Sequence, residues 1–396
     1  MRILITDSDN RQTLAATRTL GRNGHLVYTA GDIPKSLASA SRWSVSHEVY
    51  PSPVRDPSGF VDYVVEMAAR LDIELLLPMT EISTLLLTQA RDRLPAKCRL
   101  PFPDHDIVAT AANKAAVLRL AAQVGVPIPA TVEIESVAHA RTLADQFAYP
   151  VVLKSGRSRV WNGKEWLSTS VCYARDATDL IARLGAMPTE IFPVLAQERI
   201  DGPGVGVFLC CHEGRVVAQF AHRRIREKPP SGGQSVMCES VAVEPQALAQ
   251  ASRLLAELRW EGPAMVEFKR DLRDGSLKLM EINGRFWGSL QLAIDAGVDF
   301  PNLLVALRNG QPPREPPPYR IGVQSRWLWG DFDSLVAVLR RSPAELNLPA
   351  SHPGRLHTLF AFLMPWRPYM YYEMERLSDL GPWWLETKRR LTGQAH

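Results

Sequence analysis

The stretch KLMEINGRFWGS, residues 278–289, combines apolar side chains with polar ones at regular spacing. Its leucine, methionine and isoleucine side chains favour a β-strand that enters a core, but the stretch also carries Glu281, Asn283 and Arg285. Because successive side chains of a strand point to opposite faces, three residues spaced by two leave from the same face. A carboxylate, an amide and a guanidinium aligned in this way favour a site for a charged ligand.

The preceding stretch AMVEFKRD, residues 264–271, predicts a partner strand in a hairpin. If the loop is 273–275, with its glycine in the left-handed conformation, Glu267 lies opposite Glu281. Facing carboxylates repel each other in a half-buried site, and a divalent cation removes the repulsion. The oxygen ligands Glu267, Glu281 and Asn283 suit Mg²⁺. In the alternative, both acids point to solvent and pair with neighbouring basic side chains, which leaves the amide and the arginine unexplained.

Length, charge and cysteine content argue against several classes of function. The 396 residues are long enough for two or three domains, and a net charge of +4 without a long block of one sign gives no reason to expect a nucleic-acid partner. The five cysteines form neither a C-x-x-C pair nor a zinc-like spacing, which favours a reducing compartment. MRILITDSDN lacks the features of a signal peptide, and no apolar run reaches about 18 residues, so we expect a cytoplasmic protein.

The first hundred residues predict a parallel sheet. Short apolar runs (RILIT, HLVYTA and IELLLPM) alternate with helical patterns, as in βαβ units. The stretch DSDN follows the first strand, where a dinucleotide-binding protein would have G-x-G-x-x-G. This counts against a nicotinamide-dependent oxidoreductase, the main alternative for such an N-terminus. We assign residues 1–110 to this βαβ domain.

Sheet and helix patterns continue to about residue 315, where the proline-rich QPPREPPPYR marks a boundary. A helix near 111–122 and the strand YPVVLK precede a loop, SGRSRVWNGKEW. The runs PVLAQERI, VGVFLCC and RVVAQFAHRRI then predict consecutive strands ahead of the hairpin.

In this order and spacing, the segments resemble the ATP-grasp superfamily, in particular carboxylate-amine ligases with an ATP-binding domain similar to that of carbamoyl-phosphate synthase. The resemblance runs from about residue 113 to 301. It implies a lid lobe at 111–195 and a catalytic lobe at 196–315, which hold ATP between them. Glu267 and the Glu-x-Asn of MEINGR would then bind Mg²⁺, for which Mn²⁺ could substitute, and Arg285 would contact the transferred phosphoryl group.

The resemblance also assigns two lysines to the nucleotide phosphates. Lys114 stands in NKAAVLRLAAQVGVPIPAT, and Lys154 lies near the end of YPVVLKS. Lysine ammonium groups are mobile point charges that suit phosphate oxygens. Lys154 follows an apolar strand and precedes a loop rich in serine, glycine and arginine, which favours phosphate contact. For Lys114 a solvated surface position is an equal alternative, because a surface readily accommodates a helical lysine.

AQERIDG resembles the family's hinge, whose extended backbone contacts adenine, and this assigns Gln197, Glu198 and Ile200 to the nucleotide. The chain departs from the family in two places. Val205 lies where many members have an acid that binds the ribose, so that contact must come from another group. The phosphate loop is poor in glycine, which shifts phosphate contact to the side chains of residues 157–159.

The stretch AHRRIREKPPSGGQS is a second candidate for function. If Arg224 and Arg226 share a face, Lys228 follows on that side, and the three form a cationic ladder suited to carboxylate or phosphate oxygens. The alternative is an exposed strand edge, where basic residues prevent aggregation. We favour function because the ladder resembles the family's substrate-proximal strand and the turn at 231–233 resembles a mobile loop.

The last segment, 316–396, is rich in aromatic residues, including Trp327, Trp329 and Trp366, and predicts a helical extension. Its stretch WWLETKRRL mixes tryptophan with basic residues, as an interfacial helix does. We nevertheless expect this tail to pack on the core or to form a homodimer contact, and membrane contact is the minor alternative. The expected fold class is therefore α/β and α+β: a Rossmann-like parallel-sheet domain, a two-lobed ATP-grasp fold and a helical, aromatic-rich tail.

The resemblance implies a reaction in two steps. ATP phosphorylates a small carboxylate, and an amine attacks the resulting acylphosphate, with release of ADP and phosphate. The expected partners are thus a small-molecule acid and a small-molecule amine, and the expected catalytic residues are Arg285, Arg224 and Arg226. A carboxylate kinase, a carboxylate-thiol ligase and a non-catalytic ATP-binding module are the alternatives.

Overall fold

The computed structural model describes residues 1–157, 159–163, 166–168, 171–230, 232–346, 348, 352–364 and 367–393, with the backbone alone at 159, 161 and 168. This part of the chain confirms the expected fold class. It contains a parallel-sheet N-terminal region, two antiparallel sheets with flanking helices, and a C-terminal region with three helices.

The N-terminal region forms a four-stranded parallel sheet in the spatial order β3-β2-β1-β4. The sequence predicts three of these strands but misses the edge strand β3, because its side chains are polar and only partly buried. The strands are β1 (Arg2–Ile5), β2 (Leu26–Gly31), β3 (Ser44–Val49) and β4 (Leu75–Leu77). The helices are α1 (Arg11–Arg22), α2 (Pro57–Arg70) and α3 (Glu81–Gln89), followed by a 3-10 turn (Arg91–Arg93).

Two helices lead from this sheet into a smaller antiparallel sheet, whose order is β5-β10-β6-β9. The stretch SGRSRVWNGKEW, expected to be a loop, contributes to a two-stranded hairpin, β7-β8. The predicted division at 195/196 falls inside β10. The helices are α4 (His105–Ala112), α5 (Lys114–Gln123), α6 (Val137–Leu143) and α7 (Ala177–Gly185), with 3-10 turns at Ala144–Gln146 and Thr189–Ile191. The strands are β5 (Thr131–Ile134), β6 (Val151–Ser155), β7 (Arg159–Trp161), β8 (Trp166–Ser168), β9 (Cys172–Ala174) and β10 (Val194–Glu198).

A seven-stranded sheet, in the order β15-β14-β11-β12-β13-β16-β17, forms the largest unit. Its strand pairs are antiparallel except β16 and β17, which are parallel. The strands are β11 (Gly204–His212), β12 (Arg215–Lys228), β13 (Gln234–Val241), β14 (Gly262–Arg270), β15 (Leu277–Asn283), β16 (Gln324–Arg326) and β17 (Met370–Tyr372). The helices are α8 (Pro245–Glu257), α9 (Leu290–Ala296) and α10 (Phe300–Arg308).

The C-terminal region is helical, as expected, but it also adds the last two strands to the seven-stranded sheet. Its helices are α11 (Leu328–Arg340), α12 (Arg355–Leu363) and α13 (Gly381–Leu391). Arg389 of α13 forms an ion pair with Asp9, which follows β1. The region therefore contacts both the N-terminal sheet and the large sheet.

Separate hydrophobic clusters form the cores of these units. One cluster joins the first sheet, through residues such as Ile3 and Leu20, to α9 and α10 of the large sheet. A second packs α4, α5 and α8 against the opposite face of β11, β14 and β15. No single helix in the described ranges is long and apolar enough to cross a membrane. Helices α9 and α10, which meet at an angle of 81°, are long and apolar enough only when they are counted together.

Candidate functional site

A cavity of about 890 Å³ lies between the N-terminal sheet, the seven-stranded sheet and the C-terminal region. One wall consists of residues that follow β1, β2 and β4, the edge at which parallel sheets bind ligands. The second wall consists of side chains from β12, β14 and β15 and from the loop after β15. The third comes from α11 and α13, through residues such as Trp329 and Glu386.

The hairpin β14-β15 brings Glu267 directly opposite Glu281, as predicted. The loop that joins these strands differs from the prediction: it runs from Asp271 to Ser276 rather than over 273–275. Gly275 does adopt a left-handed conformation, with φ of 71°. The longer loop shifts the register by one residue, and an extra residue in β15, Met280, restores it before Glu281. The predicted pairing of Glu267 with Glu281 is therefore correct, but the predicted loop length and the regular register are not.

Four polar side chains follow one another along this edge of the hairpin. Glu267 Oε2 lies 3.0 Å from Arg224 Nη2, and Glu281 Oε2 lies 3.4 Å from Lys114 Nζ. Asn283 Nδ2 donates to Glu281 Oε1 at 3.0 Å, and Arg285 Nη2 donates to Asn283 Oδ1 at 3.2 Å. The structure therefore brings the acid, the amide and the guanidinium of the sequence motif into direct contact.

The two carboxylates have different electrostatic surroundings. Burial raises the pKa of Glu267; Arg224 opposes this change, and the Glu281 charge adds to it. Burial would also raise the pKa of Glu281, but Lys114, the Asn283 amide and Lys154 together lower it below its ordinary value. The surroundings therefore favour the charged form of Glu281 and disfavour that of Glu267.

This donor set fits a hard divalent cation. Two carboxylates and an amide oxygen are ligands that Mg²⁺ accepts, and side-chain cations already lie against both carboxylates. Metal binding requires Asn283 to present Oδ1 in place of Nδ2, which a turn of the amide provides. Within the described ranges, no three His, Cys, Asp or Glu side chains are grouped to hold a metal ion, so the amide is needed as the third ligand.

Lys114 and Lys154 lie near the carboxylate pair but do not line the cavity. Lys114 is the first residue of α5, whose N-terminus is capped by Asn113 Oδ1 through the amides of the next turn at 3.1 and 3.2 Å. Lys154 Nζ donates to Gln197 Oε1 at 2.9 Å. Burial lowers the pKa of Lys154, while the charge of Glu281 partly offsets that effect. Both lysines therefore lie behind the cavity lining, with Lys114 in contact with Glu281 and Lys154 in contact with Gln197.

The predicted hinge residues lie at the end of β10 and just after it. Gln197 is buried, and its Nε2 donates to Thr131 Oγ1 at 3.0 Å, so both ends of its side chain have internal partners. The Glu198 carboxylate accepts from Arg273, and its backbone amide donates to Ala130. Ile200 is also buried, and its carbonyl accepts from a lysine of β14. The adenine contact of these residues stays a prediction.

The predicted cationic ladder does not form. The register of β12 against β13 shifts on both sides of Arg226, and these bulges turn it away from Arg224. Arg226 Nε and Nη2 donate to both oxygens of the buried Asp331, at 2.5 and 2.7 Å, and Arg226 does not line the cavity. Arg224 and Lys228 do line it, with Lys228 Nζ 2.7 Å from Asp333. Because its charge is committed to a buried ion pair, the geometry does not support the expected catalytic role of Arg226, which stays a prediction.

Several sequence-based expectations fall outside the described residues. Ser158 of the phosphate loop, Ser231 of the SGG turn and Trp366 of the tail are among these residues, as is the side chain of Arg159. Arg157 forms an isolated β-bridge with Asn113, next to the start of α5. Val205 lies on β11, as the sequence places it.

The cavity also contains residues that the motifs did not indicate. His222 Nε2 lies 2.8 Å from Ser289 Oγ, and burial lowers the pKa of His222 to about 3, so the imidazole is neutral. On the third wall, Trp327 Nε1 donates to Glu386 Oε1 at 2.7 Å. Burial raises the pKa of Glu386 to about 7. His222 lies in AHRRIREKPPSGGQS and Ser289 ends KLMEINGRFWGS, so both belong to stretches that the sequence analysis selected. No local sequence pattern predicts the contact between Trp327 and Glu386, which are 59 residues apart.

Comparison with known proteins identifies the fold. Residues 190–330 match a family model described as "ATP-grasp in the biosynthetic pathway with Ter operon". The L-amino acid ligase from Bacillus licheniformis superposes with a TM-score of 0.59 and 17% identity, over 79% of this chain and 75% of that chain. N5-carboxyaminoimidazole ribonucleotide synthetase from Thermus thermophilus superposes with 0.59 and 15%, over 82% and 81%.

A third neighbour was solved with a nucleotide. The biotin carboxylase domain of the Hydrogenobacter thermophilus 2-oxoglutarate carboxylase, in complex with magnesium ADP and bicarbonate, superposes with a TM-score of 0.63 and 14% identity. The match covers 81% of this chain and 73% of that one. A search of curated proteins finds no match to the sequence.

Proposed function

Because this chain has the ATP-grasp fold, we propose that it is an ADP-forming ligase that joins a small carboxylic acid to an amine. The acid oxygen attacks the γ-phosphorus of ATP, which gives an acylphosphate and ADP. The amine nitrogen then attacks the acyl carbon, the carbon–oxygen bond to phosphate breaks, and the amine loses a proton. The names of two neighbours, an L-amino acid ligase and a phosphoribosylamine–glycine ligase, support this class of reaction.

The state of Arg285 is the observation that carries the proposal. Among the described residues, six cationic side chains line the cavity, and five of them form ion pairs with carboxylates. For Arg285 the described residues supply a backbone carbonyl and the Asn283 amide, with no carboxylate partner. Its guanidinium is therefore available to an anion, directly beside the carboxylate pair, as transfer of a phosphoryl group to an acid requires.

The other residues act by position and charge. Glu267, Glu281 and Asn283 would hold Mg²⁺, which neutralises phosphate charge and orients the triphosphate. Lys114 and Lys154 then bind phosphate oxygens, and Lys114 exchanges its contact with Glu281 for one of these oxygens. Arg224 remains paired with Glu267 and lies beside the carboxylic acid substrate. No covalent enzyme intermediate is needed, because positioning and charge neutralisation supply the catalysis.

The test is a coupled incubation of the full chain with Mg·ATP and pools of small carboxylic acids and amines. ADP that accumulates only when acid and amine are both present, with a new product mass equal to the condensed pair, supports the ligase. ADP with acid alone would indicate a carboxylate kinase, and ADP with acid and a thiol would indicate a carboxylate-thiol ligase. Binding of Mg·ATP with no ADP under any combination would favour the non-catalytic module.

In the same assay, Glu281→Gln tests whether Glu281 binds the metal ion. The substitution preserves shape but removes a metal-binding charge, so turnover should fall at least about 100-fold while the melting temperature changes little. Glu257→Gln is the matched control, since Glu257 is exposed on α8 and should retain full activity. Near-normal ADP release by Glu281→Gln would refute the metal assignment.

A further inference from the structure

Helix α12 carries a row of exposed apolar side chains. Leu356, Phe360 and Leu363 are 72%, 68% and 60% exposed, and Met364, which follows the helix directly, is 52% exposed. Their spacing of four, three and one residues puts all four on one side of the helix. We call this set the α12 patch. Apolar side chains exposed singly are ordinary on a protein surface, but a contiguous row marks a surface that binds something.

The orientation of this row is fixed by contacts on the other side of the helix. Thr358 is buried, and the ring of Phe362 packs against Phe332 of α11 with centroids 6.1 Å apart. Arg326 of β16 lies over the Phe362 ring and donates to its carbonyl at 2.8 Å. The α12 patch is therefore the outer face of a docked helix rather than the face of a helix that has failed to pack.

The chain segment that carries the patch has charges of one sign. From residue 346 to residue 372 the sequence contains no aspartate or glutamate, but it contains two arginines and two histidines. Arg355 begins the helix beside Leu356, and Arg367 Nη2 lies 3.3 Å from the sulfur of Met364, so a guanidinium stands at each end of the row. An apolar row between basic ends is the pattern of helices that lie in a membrane interface.

We propose that the α12 patch binds the surface of a bilayer that contains anionic lipids. The apolar side chains would enter the boundary between headgroups and acyl chains, while Arg355 and Arg367 meet lipid phosphates. A second copy of the chain is the competing occupant. A two-fold dimer through this face would set the same basic segment of two copies together, with the Glu345 carboxylate near Arg355 to offset part of the charge. Lipid phosphates can neutralise the guanidinium at each end of the row.

This proposal differs from the expectation drawn from the sequence. That expectation concerns WWLETKRRL, whose Trp384 is 66% exposed on α13, and it leaves membrane contact as a minor alternative. The α12 patch lies on another helix, and none of its residues lines the cavity. Binding to lipid is therefore independent of the proposed ligase activity, and either can fail without the other.

The experiment is co-sedimentation of the full chain with vesicles of phosphatidylcholine alone and of phosphatidylcholine mixed with phosphatidylglycerol. The wild type should bind the mixed vesicles, and added salt should weaken that binding. Phe360→Ser combined with Leu363→Ser should reduce binding to the mixed vesicles by about tenfold or more. Arg355→Glu combined with Arg367→Glu should reduce it by a similar factor.

Two controls separate the α12 patch from other exposed apolar residues. Leu272→Ser removes a side chain that is 71% exposed in the β14-β15 loop, and Trp384→Ser removes the exposed tryptophan of α13. Both should bind vesicles as the wild type does. Absence of binding by the wild type, or equal losses in the controls and the α12 variants, would overturn the proposal. Light scattering that shows a dimer, converted to a monomer by Phe360→Ser with Leu363→Ser, would assign the patch to a second copy instead.

Discussion

Glu267 and Glu281 face each other across two antiparallel strands, and each lies against a side-chain cation. Arg224 and Lys114 thereby compensate two negative charges that would otherwise repel in a buried place. The Arg224 guanidinium has a second partner, Glu227, at 3.1 Å, so it does not depend on Glu267 alone. In the proposed metal-bound state, a divalent cation would replace the contact between Lys114 and Glu281.

Glu267→Gln should abolish the stabilisation of the protein by Mg²⁺. For the wild type, Mg²⁺ at roughly one hundred times its dissociation constant should raise the free energy of unfolding by about 2.7 kcal/mol. The variant lacks one of the two carboxylate ligands, so its melting temperature should no longer respond to Mg²⁺. Differential scanning calorimetry with and without Mg²⁺ makes the comparison, and Glu257→Gln should keep the wild-type response. A shift that survives in Glu267→Gln would place the metal elsewhere.

Without metal, the same substitution should change how stability depends on pH. Burial raises the pKa of Glu267 above its ordinary value of 4.5, so the folded state holds this proton more tightly than the unfolded chain does. Ionisation of Glu267 therefore lowers the free energy of unfolding as pH rises from 4.5 through the higher pKa of this residue in the folded protein. A glutamine does not ionise, so the variant should lack this part of the loss. Unfolding curves recorded across that pH range with a chelator present provide the check.

At the scale of elements, the start of α5 combines a capped helix N-terminus with the lysine that we propose for phosphate binding. Asn113 Oδ1 accepts from two amides of the first turn, and the Lys114 amide donates to Gly156 next to β6. Asn113→Ala should cost about 1 kcal/mol of stability, because the cap is lost. It should also raise the KM for ATP, because the first turn carries Lys114. Chemical denaturation and ATP titrations of the ligase reaction measure the two effects.

Asn113→Asp is the matched variant for this prediction. An aspartate accepts from the same two amides, so it should retain both the stability and the KM for ATP. If Asn113→Ala lost stability with no change in KM, the position of Lys114 would not depend on the cap. Equal losses in both variants would show that the loss does not come from the hydrogen bonds of the cap.

Local patterns in the sequence predict the site where the chain is locally regular and fail where it bulges. The pairing of Glu267 with Glu281 follows from a hairpin, whose register depends on a few adjacent residues. The pattern predicts Arg226 beside Arg224 only if the faces of β12 alternate without a break, and two register shifts reverse that alternation. The edge strand β3 escapes prediction for a related reason, since its exposed position removes the apolar alternation that identifies a strand.

At the scale of the whole molecule, the C-terminal region closes the cavity. It contributes Trp327, Trp329 and Glu386 to the third wall, and these residues reach the cavity through contacts with distant parts of the chain. Arg389 contacts Asp9, and Trp329 Nε1 donates to Thr387 at 3.1 Å. No local motif encodes such contacts, so the sequence predicts a helical tail but not its place in the site.

Arg18 of α1 anchors this region to the N-terminal sheet. It is 2% exposed; its Nε lies 2.7 Å from Asp379 Oδ2, and its other nitrogens donate to the carbonyls of Glu373, Met374 and Asp379. Among the described residues, Arg18→Met leaves the buried Asp379 carboxylate with the Ser41 hydroxyl and the Arg42 backbone amide as its hydrogen-bond donors. It should therefore cost about 3 to 5 kcal/mol of unfolding free energy. Because the third wall then loosens, limited proteolysis should cut the C-terminal region before the rest of the chain.

A double-mutant cycle distinguishes the ion pair from simple loss of packing. Asp379→Leu introduced into Arg18→Met removes the uncompensated charge, so the double variant should be more stable than Arg18→Met alone. It should also regain part of the ligase activity, since a re-docked C-terminal region restores the third wall of the cavity. Additive losses in the double variant would show that Arg18 and Asp379 act separately. In that case the wall would be held by the contacts of α13, and truncation before Gly381 would have the larger effect on activity.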